Sequence, residues 1–176
     1  MNKRESYKKN SPEGAMCEFL YAWKERRWVD MIAGTHPTWR KSSLNPNPLE
    51  ELDFLLGHFE LECAVIQNVN RAVRTGISYW VRTKLFLIHS EGKKITKAVS
   101  WLVHYETEDF KLDTSLVAKW GVNPLSGAKE LNKNNPAFLE RAEIRRKQIA
   151  EAGEEIKKAR ALLLDVNEKE EIDNDT

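Results

Sequence analysis

Apolar residues recur along the chain with two periods, and the place where one gives way to the other divides it. Ser11-Pro12 offers a capping hydroxyl followed by a proline at the first helical position, where the missing N–H is not needed. Ala15, Met16, Phe19, Leu20 and Trp23 then return every three or four residues, which predicts an amphipathic helix. Trp28, Met31 and Ile32 continue the pattern for two turns up to Gly34, read as a left-handed stop. Asn47-Pro48 is a second cap and first-turn proline, and Leu49, Leu52, Leu55 and Leu56 predict a third helix ending at Gly57.

After Phe59 the period falls to two. Four runs read as strands, about 61–70, 76–89, 95–106 and 115–123, with turns at Arg74-Thr75-Gly76 and Ser90-Glu91-Gly92-Lys93. Neighbours joined by short turns pair antiparallel. Odd positions are the more apolar in the first three runs: Leu61, Cys63, Val65 and Val69; Ile77, Tyr79, Val81, Leu85 and Leu87; Ile95, Val99, Trp101, Val103 and Tyr105. The fourth has even parity, Leu116, Ala118, Trp120 and Val122, and these faces are expected to meet the helices. Asn135-Pro136 opens a last helix to about residue 165. Ala142, Ile149, Ile156 and Leu163 fall at one heptad position and Phe138, Ala152, Ala159 and Val166 at the other, broken by Arg145. That narrow stripe either packs back on the domain or pairs with another copy.

The stretch Phe19-Leu20-Tyr21-Ala22-Trp23-Lys24-Glu25-Arg26-Arg27-Trp28-Val29-Asp30-Met31, with His36-Pro37-Thr38-Trp39 after it and Trp120-Gly121-Val122-Asn123-Pro124 at the close, resembles nuclear transport factor 2-like domains of the cystatin-like superfamily. The resemblance covers residues 11–127. It implies an α+β fold: three N-terminal helices packed on a curved, cone-shaped four-stranded antiparallel sheet, here followed by the long C-terminal helix. It implies a shape and not a reaction, because similar domains serve as isomerases, dehydratases, transport adaptors and ligand binders. Enzymes of this shape that are similar to ketosteroid isomerase place an Asp base and polar donors in the cone, and members commonly pair sheet to sheet as dimers.

Charge and cysteine content narrow the classes. Lys plus Arg number 28 and Asp plus Glu 27, a net charge of +1, so the whole-chain field does not steer phosphate and nucleic acid is not an expected partner. Arg141, Arg145, Arg146 and Lys147 form a basic stretch balanced by nearby acids. Residues 1–10 read as a basic disordered arm, 11–127 as the cone-shaped domain, 128–135 as a polar linker, 136–165 as the C-terminal helix and 166–176 as an acidic tail. Cys17 and Cys63 stand alone, without a C-x-x-C or a histidine cluster, so neither a disulfide nor a metal site is expected. No apolar run suits a signal peptide or a membrane span, which places the expected location in the cytoplasm.

The strand parity then sorts candidate chemistry. Glu62 and Glu106 have outward parity, while the inward polar groups are Gln67, Tyr79, Thr83, Lys97 and Tyr105. No inward strand carboxylate is available as a base, and no cofactor is expected. His36 near Asp30 and His58 beside Gly57 read as turn and helix-end residues. The outward parity carries Ala64, Ile66, Trp80, Phe86, Ile88, Leu102 and Val117, interrupted by Arg82, Lys84 and His104, more apolar surface than open solvent favours. The leading expectation is a non-catalytic interaction protein that forms a homodimer through Ile66, Trp80, Arg82, Phe86, Ile88, Leu102 and Val117, with a further protein partner on the C-terminal helix. The alternative is a small-molecule enzyme or ligand binder lined by Tyr79, Tyr105, Gln67, Thr83 and Lys97.

Overall fold

A computed structural model describes residues 7, 8, 10–41, 47–72, 77–105 and 120–173, with side chains of the last helix to 161. The order is α1 (Pro12–Lys24), α2 (Trp28–Ala33), α3 (Pro37–Arg40), α4 (Pro48–Leu56), β1 (Phe59–Arg71), β2 (Ser78–His89), β3 (Lys94–Tyr105), β4 (Trp120–Asn123), α5 (Pro124–Leu131) and α6 (Pro136–Asp173). The fold is α+β, with one antiparallel sheet in the order β1-β2-β3-β4. The expected turn at 74–76, Glu106, Val117 and residues 115–119 of the fourth run lie outside the described residues, as does most of the basic arm.

All five prolines among the described residues open a helix. The side chains of Ser11, Asn47 and Asn123 accept the N–H groups of Gly14, Leu49 and Leu125, the orphan donors of each first turn. Asn135 accepts from the N–H of Ala137 in the same way. His36 does so with an imidazole, Nδ1 accepting from the Thr38 N–H at 3.2 Å. The four-residue α3 and the eight-residue α5 are additions to the expected elements. The expected polar linker over 128–135 is helical to Leu131, with Ala128 and Leu131 buried. The acidic stretch from 166 continues α6 to Asp173. Gly34 has φ −79°, so it does not end α2 in a left-handed turn; among the described non-glycine residues that conformation falls to Arg26, at φ 54°.

The chain folds as two compact units, residues 1–133 and 134–176. In the first, α1 lies across the sheet and buries Met16, Phe19, Leu20 and Trp23 against Leu61, Val81, Leu85, Val99, Trp101, Val103 and Val122. Trp101 is the centre of this packing, its ring 5.8 Å from Phe19 and 6.3 Å from Trp23. Each large side chain so buried stabilises by about 1.5–3 kcal/mol. Both indole N–H groups are satisfied, Trp101 donating to Thr83 Oγ1 at 2.9 Å and Trp23 to the Phe59 carbonyl at 3.2 Å. Asn132 ties α5 to α4 by donating to the Leu55 carbonyl at 2.8 Å.

Only four residues of β3 pair with β4, from Leu102 to Tyr105, which leaves the rest of that edge open to another strand. Helix α5 closes it with side chains: the N–H of Leu102 donates to Ser126 Oγ and that of Ser100 to Glu130 Oε1. To reach that edge the helix passes so close to Trp101 that Gly127 rests on the indole, where a Cβ would overlap the six-membered ring. Gly127→Ala is therefore expected to destabilise by about 1–3 kcal/mol, opposite in sign to the usual gain from replacing a helical glycine. A urea midpoint that rises or stays constant would show that α5 lifts off Trp101 freely.

Candidate binding site and outer sheet face

The five inward candidates do not converge. Tyr79 and Tyr105 do meet, through Trp120: the indole lies 5.6 Å from Tyr79 and 4.9 Å from Tyr105, edge to face with both. The register explains it, because Tyr105 is opposite Trp120 and Tyr79 opposite Val103, so all three rings stand on the helix-covered face at one end of the sheet. All three are half-buried. Thr83 is fully buried and its hydroxyl is used twice, accepting from Trp101 and donating to the Val99 carbonyl. Lys97 sits opposite Leu85, eight residues from Tyr105 on the same strand, or about 26 Å away.

Gln67 leaves the inward set altogether, and two irregularities in β1 are the reason. The register shifts between Leu61 and Cys63 and again between Ile66 and Asn68. An extra residue in one strand reverses the side-chain alternation beyond it. Ala64 and Ile66 therefore lie opposite Leu85 and Thr83 on the helix-covered face, where Ala64 is buried, although their parity placed them outside. Cys63 and Val65, expected inside, lie opposite Phe86 and Lys84 on the outer face. Gln67 falls in the second shift and is exposed.

The outer patch is thus corrected in membership. Ile66 is not part of it and Val117 lies outside the described residues. Trp80, 40% exposed, stands opposite Asn70 on β1 and Leu102 on β3. Phe86 and Ile88 follow on the same face, with Arg82 exposed between. The Lys84 ammonium lies 5.4 Å over the Phe86 ring, so its charge sits on the aromatic face. The acidic end of the patch is paired, Glu62 with Lys94 at 2.9 Å and Glu60 with Arg26 at 3.2 Å.

A cluster that strand parity did not foresee lies at the β4 side of the sheet. Residues 34–36 run beside β4, with a parallel bridge between Thr35 and Val122 and the His36 N–H donating to the Val122 carbonyl at 3.0 Å. This is possible because residue 121 is glycine: a Cβ there would come within 2.6 Å of the His36 Cα. The bare position opposite His104 admits the second imidazole, and the two rings lie 4.8 Å apart. Ser78 Oγ is 2.8 Å from His104 Nδ1. Asp30, which the sequence set near His36, instead pairs with Arg27. The glycine facing His104 in the fourth run is the sequence signal that marks this site. His58 lies between Phe54 and Phe59, with ring distances of 6.5 and 5.9 Å.

The environment of the pair favours neutral imidazoles. Burial, then the neighbouring His104, then Arg40 lower the pKa of His36 from 6.5 to about 4. Burial lowers that of His104 as well. Arg40 is held in place by the carbonyls at the end of α2, donating to Ile32 and Ala33 at 3.1 Å. His36 Nδ1 already accepts the Thr38 N–H, so a proton added there would break the cap of α3. Among the described residues no group of three or more His, Cys, Asp or Glu is placed to hold a metal ion. None of their helices is long and apolar enough to cross a membrane. No family profile, curated protein or solved structure matches the chain.

A histidine whose folded pKa lies below its unfolded value binds its proton more readily in the unfolded chain, so stability is present above pH 6.5 and is lost as pH falls toward about 4. The denaturant midpoint is expected to drop through that window. His36→Asn keeps a capping acceptor without the titration, and its midpoint should fall less steeply. A variant as acid-sensitive as the wild type would show that the pair does not set this dependence.

Proposed function

We propose that this chain is a non-catalytic interaction module that pairs with a second copy of itself through the outer face of its sheet. The observation that carries the reading is Trp80, two-fifths exposed on a strand whose opposite face is sealed by Val81, Thr83, Leu85 and Leu87. A large indole beside Leu102, with Phe86 and Ile88 farther along the same face, is the composition of an interface centre, and Arg82 suits its rim. The helix-covered face supports the same reading from the other side, since Trp23, Trp101, Phe19 and Met16 occupy its middle. The order of helices and strands agrees with a nuclear transport factor 2-like domain, whose members pair in this manner, and the absence of a membrane-crossing helix among the described residues agrees with a cytoplasmic location.

A two-fold contact brings a residue near its own copy, so one substitution acts twice. Trp80→Glu should leave the circular dichroism spectrum unchanged and weaken the dimer by about 3–5 kcal/mol, a hundredfold or more in Kd measured by sedimentation. A Kd unchanged by that substitution, or wild-type protein that is monomeric at tens of micromolar, would reject the sheet as the interface.

One observation favours a second reading, a ligand site at the end of the helix-covered face. Two phenols and an indole standing half-buried together suit a flat apolar molecule that accepts a hydrogen bond. Native mass spectrometry is expected to detect such a molecule on the purified protein and to lose it in Tyr79→Ala; a molecule retained in that variant binds elsewhere.

A further inference from the structure

We propose that α6 pairs with the α6 of a second copy as a parallel, in-register, two-stranded coiled coil over residues 142–166. The helix has 38 residues, about 57 Å, far more than a helix needs to cover one small domain. Apolar residues keep the alternating three- and four-residue spacing of a seam at Ala142, Ile149, Ala152, Ile156 and Ala159, interrupted by Arg145, and Leu163 and Val166 continue it in the sequence, while Leu139 and Ile144 stand exposed off the seam. From Ile149 to Ala159 every member is exposed, Ile149 by 59% and Ile156 by 56%. Three and a half heptads of that pattern are what a self-pairing helix requires.

The occupant follows from side-chain shape and charge. Within parallel coils, β-branched residues at the first core position favour two strands, and Ile149 and Ile156 both stand there, so the choice of direction falls to charge. In that arrangement Glu155 meets Arg160 of the second copy, an attraction made twice. Antiparallel pairing over the same residues sets Glu155 against its own copy and Arg146 against Arg160, like charge to like. The parallel form carries two repulsive contacts, Arg141 against Arg146 and Arg145 against its own copy, and both fall at the start of the seam, so the tightest packing runs from Ile149 onward. Exposed pairs Arg146–Glu143 and Lys157–Glu154, at 2.7 and 2.8 Å, lie along single helices and leave the seam clear.

The inference does not rest on the sheet interface, and its test reads a different atom pair. In the full chain with Cys63→Ser, Ala159→Cys places a thiol in the seam, where copies related by a parallel two-fold bring Cα atoms to the roughly 4.4–6.8 Å that a disulfide spans. Ala161→Cys, two residues on, points away from the seam. Mild oxidation should give a covalent dimer on a non-reducing gel at position 159, at least several-fold more than at 161, and that preference for 159 over 161 should persist when Trp80→Glu is added. No crosslink at 159, or equal crosslinking at 161, overturns the proposal. Antiparallel pairing would also leave 159 uncrosslinked, since its copy then lies ten residues away along the helix.

Discussion

The packing of Trp101 is the constraint on which the rest of this structure depends. Its indole is fully buried between Phe19 and Trp23 of α1, its N–H is satisfied by Thr83 on the next strand, and its six-membered ring is the floor on which α5 rests through Gly127. One side chain thus fixes the helix above the sheet, the partner strand beside it and the helix that follows it. A buried indole N–H without an acceptor would cost about 1–3 kcal/mol, so the threonine on β2 is as much a part of this packing as the aromatics.

The two edges of β3 and β4 follow from that arrangement. Strand β4 is four residues long, too short to protect its neighbour, and the chain completes the protection with different chemistry on each side. Ser126 and Glu130 take the place of strand carbonyls along β3, whereas residues 34–36 add a bridge along β4. Both devices need a backbone approach that only glycine permits, Gly127 in one case and Gly121 in the other. The contact of His36 with His104 is a consequence of the second approach. Burial makes both imidazoles lose protons more readily, and for His36 the ring of His104 at 4.8 Å and Arg40 add to it, which couples an edge of the sheet to acidity.

The opposite faces of the sheet have divided roles for a related reason. Aromatic residues fill the helix-covered face at its middle and stand half-open only where Tyr79, Trp120 and Tyr105 end it. The outer face keeps its apolar members in a line along β2, and the shifts in β1 bring Cys63 and Val65 to extend that line beside Phe86. What the sheet offers a partner is therefore set partly by irregularity in a strand that does not itself carry the aromatics.

The sequence by itself determined the fold class and the longer elements. Proline after Ser11, Asn47 and Asn135 marked helix starts, and strict alternation from Ser78 to Leu87 and from Val99 to Tyr105 marked strands and their buried sides, because these signals depend on neighbours a few residues away. The same signal stood at Asn123-Pro124, and α5 was legible there, although the following Gly and Lys read as loop. It also gave the meeting of Tyr79 and Tyr105 on one face, but not the separation of Lys97 from them or the full occupation of Thr83, which need the register. Only the tertiary structure decided the faces of β1, since nothing local in Glu62 or Gln67 announces an extra residue; the partner strand imposes the shift. It likewise decided the pairing of His36 with His104, 68 residues apart, because a contact between distant segments is fixed by which backbone can come close, and that depends on where Trp101 has placed the helices and strands that carry them.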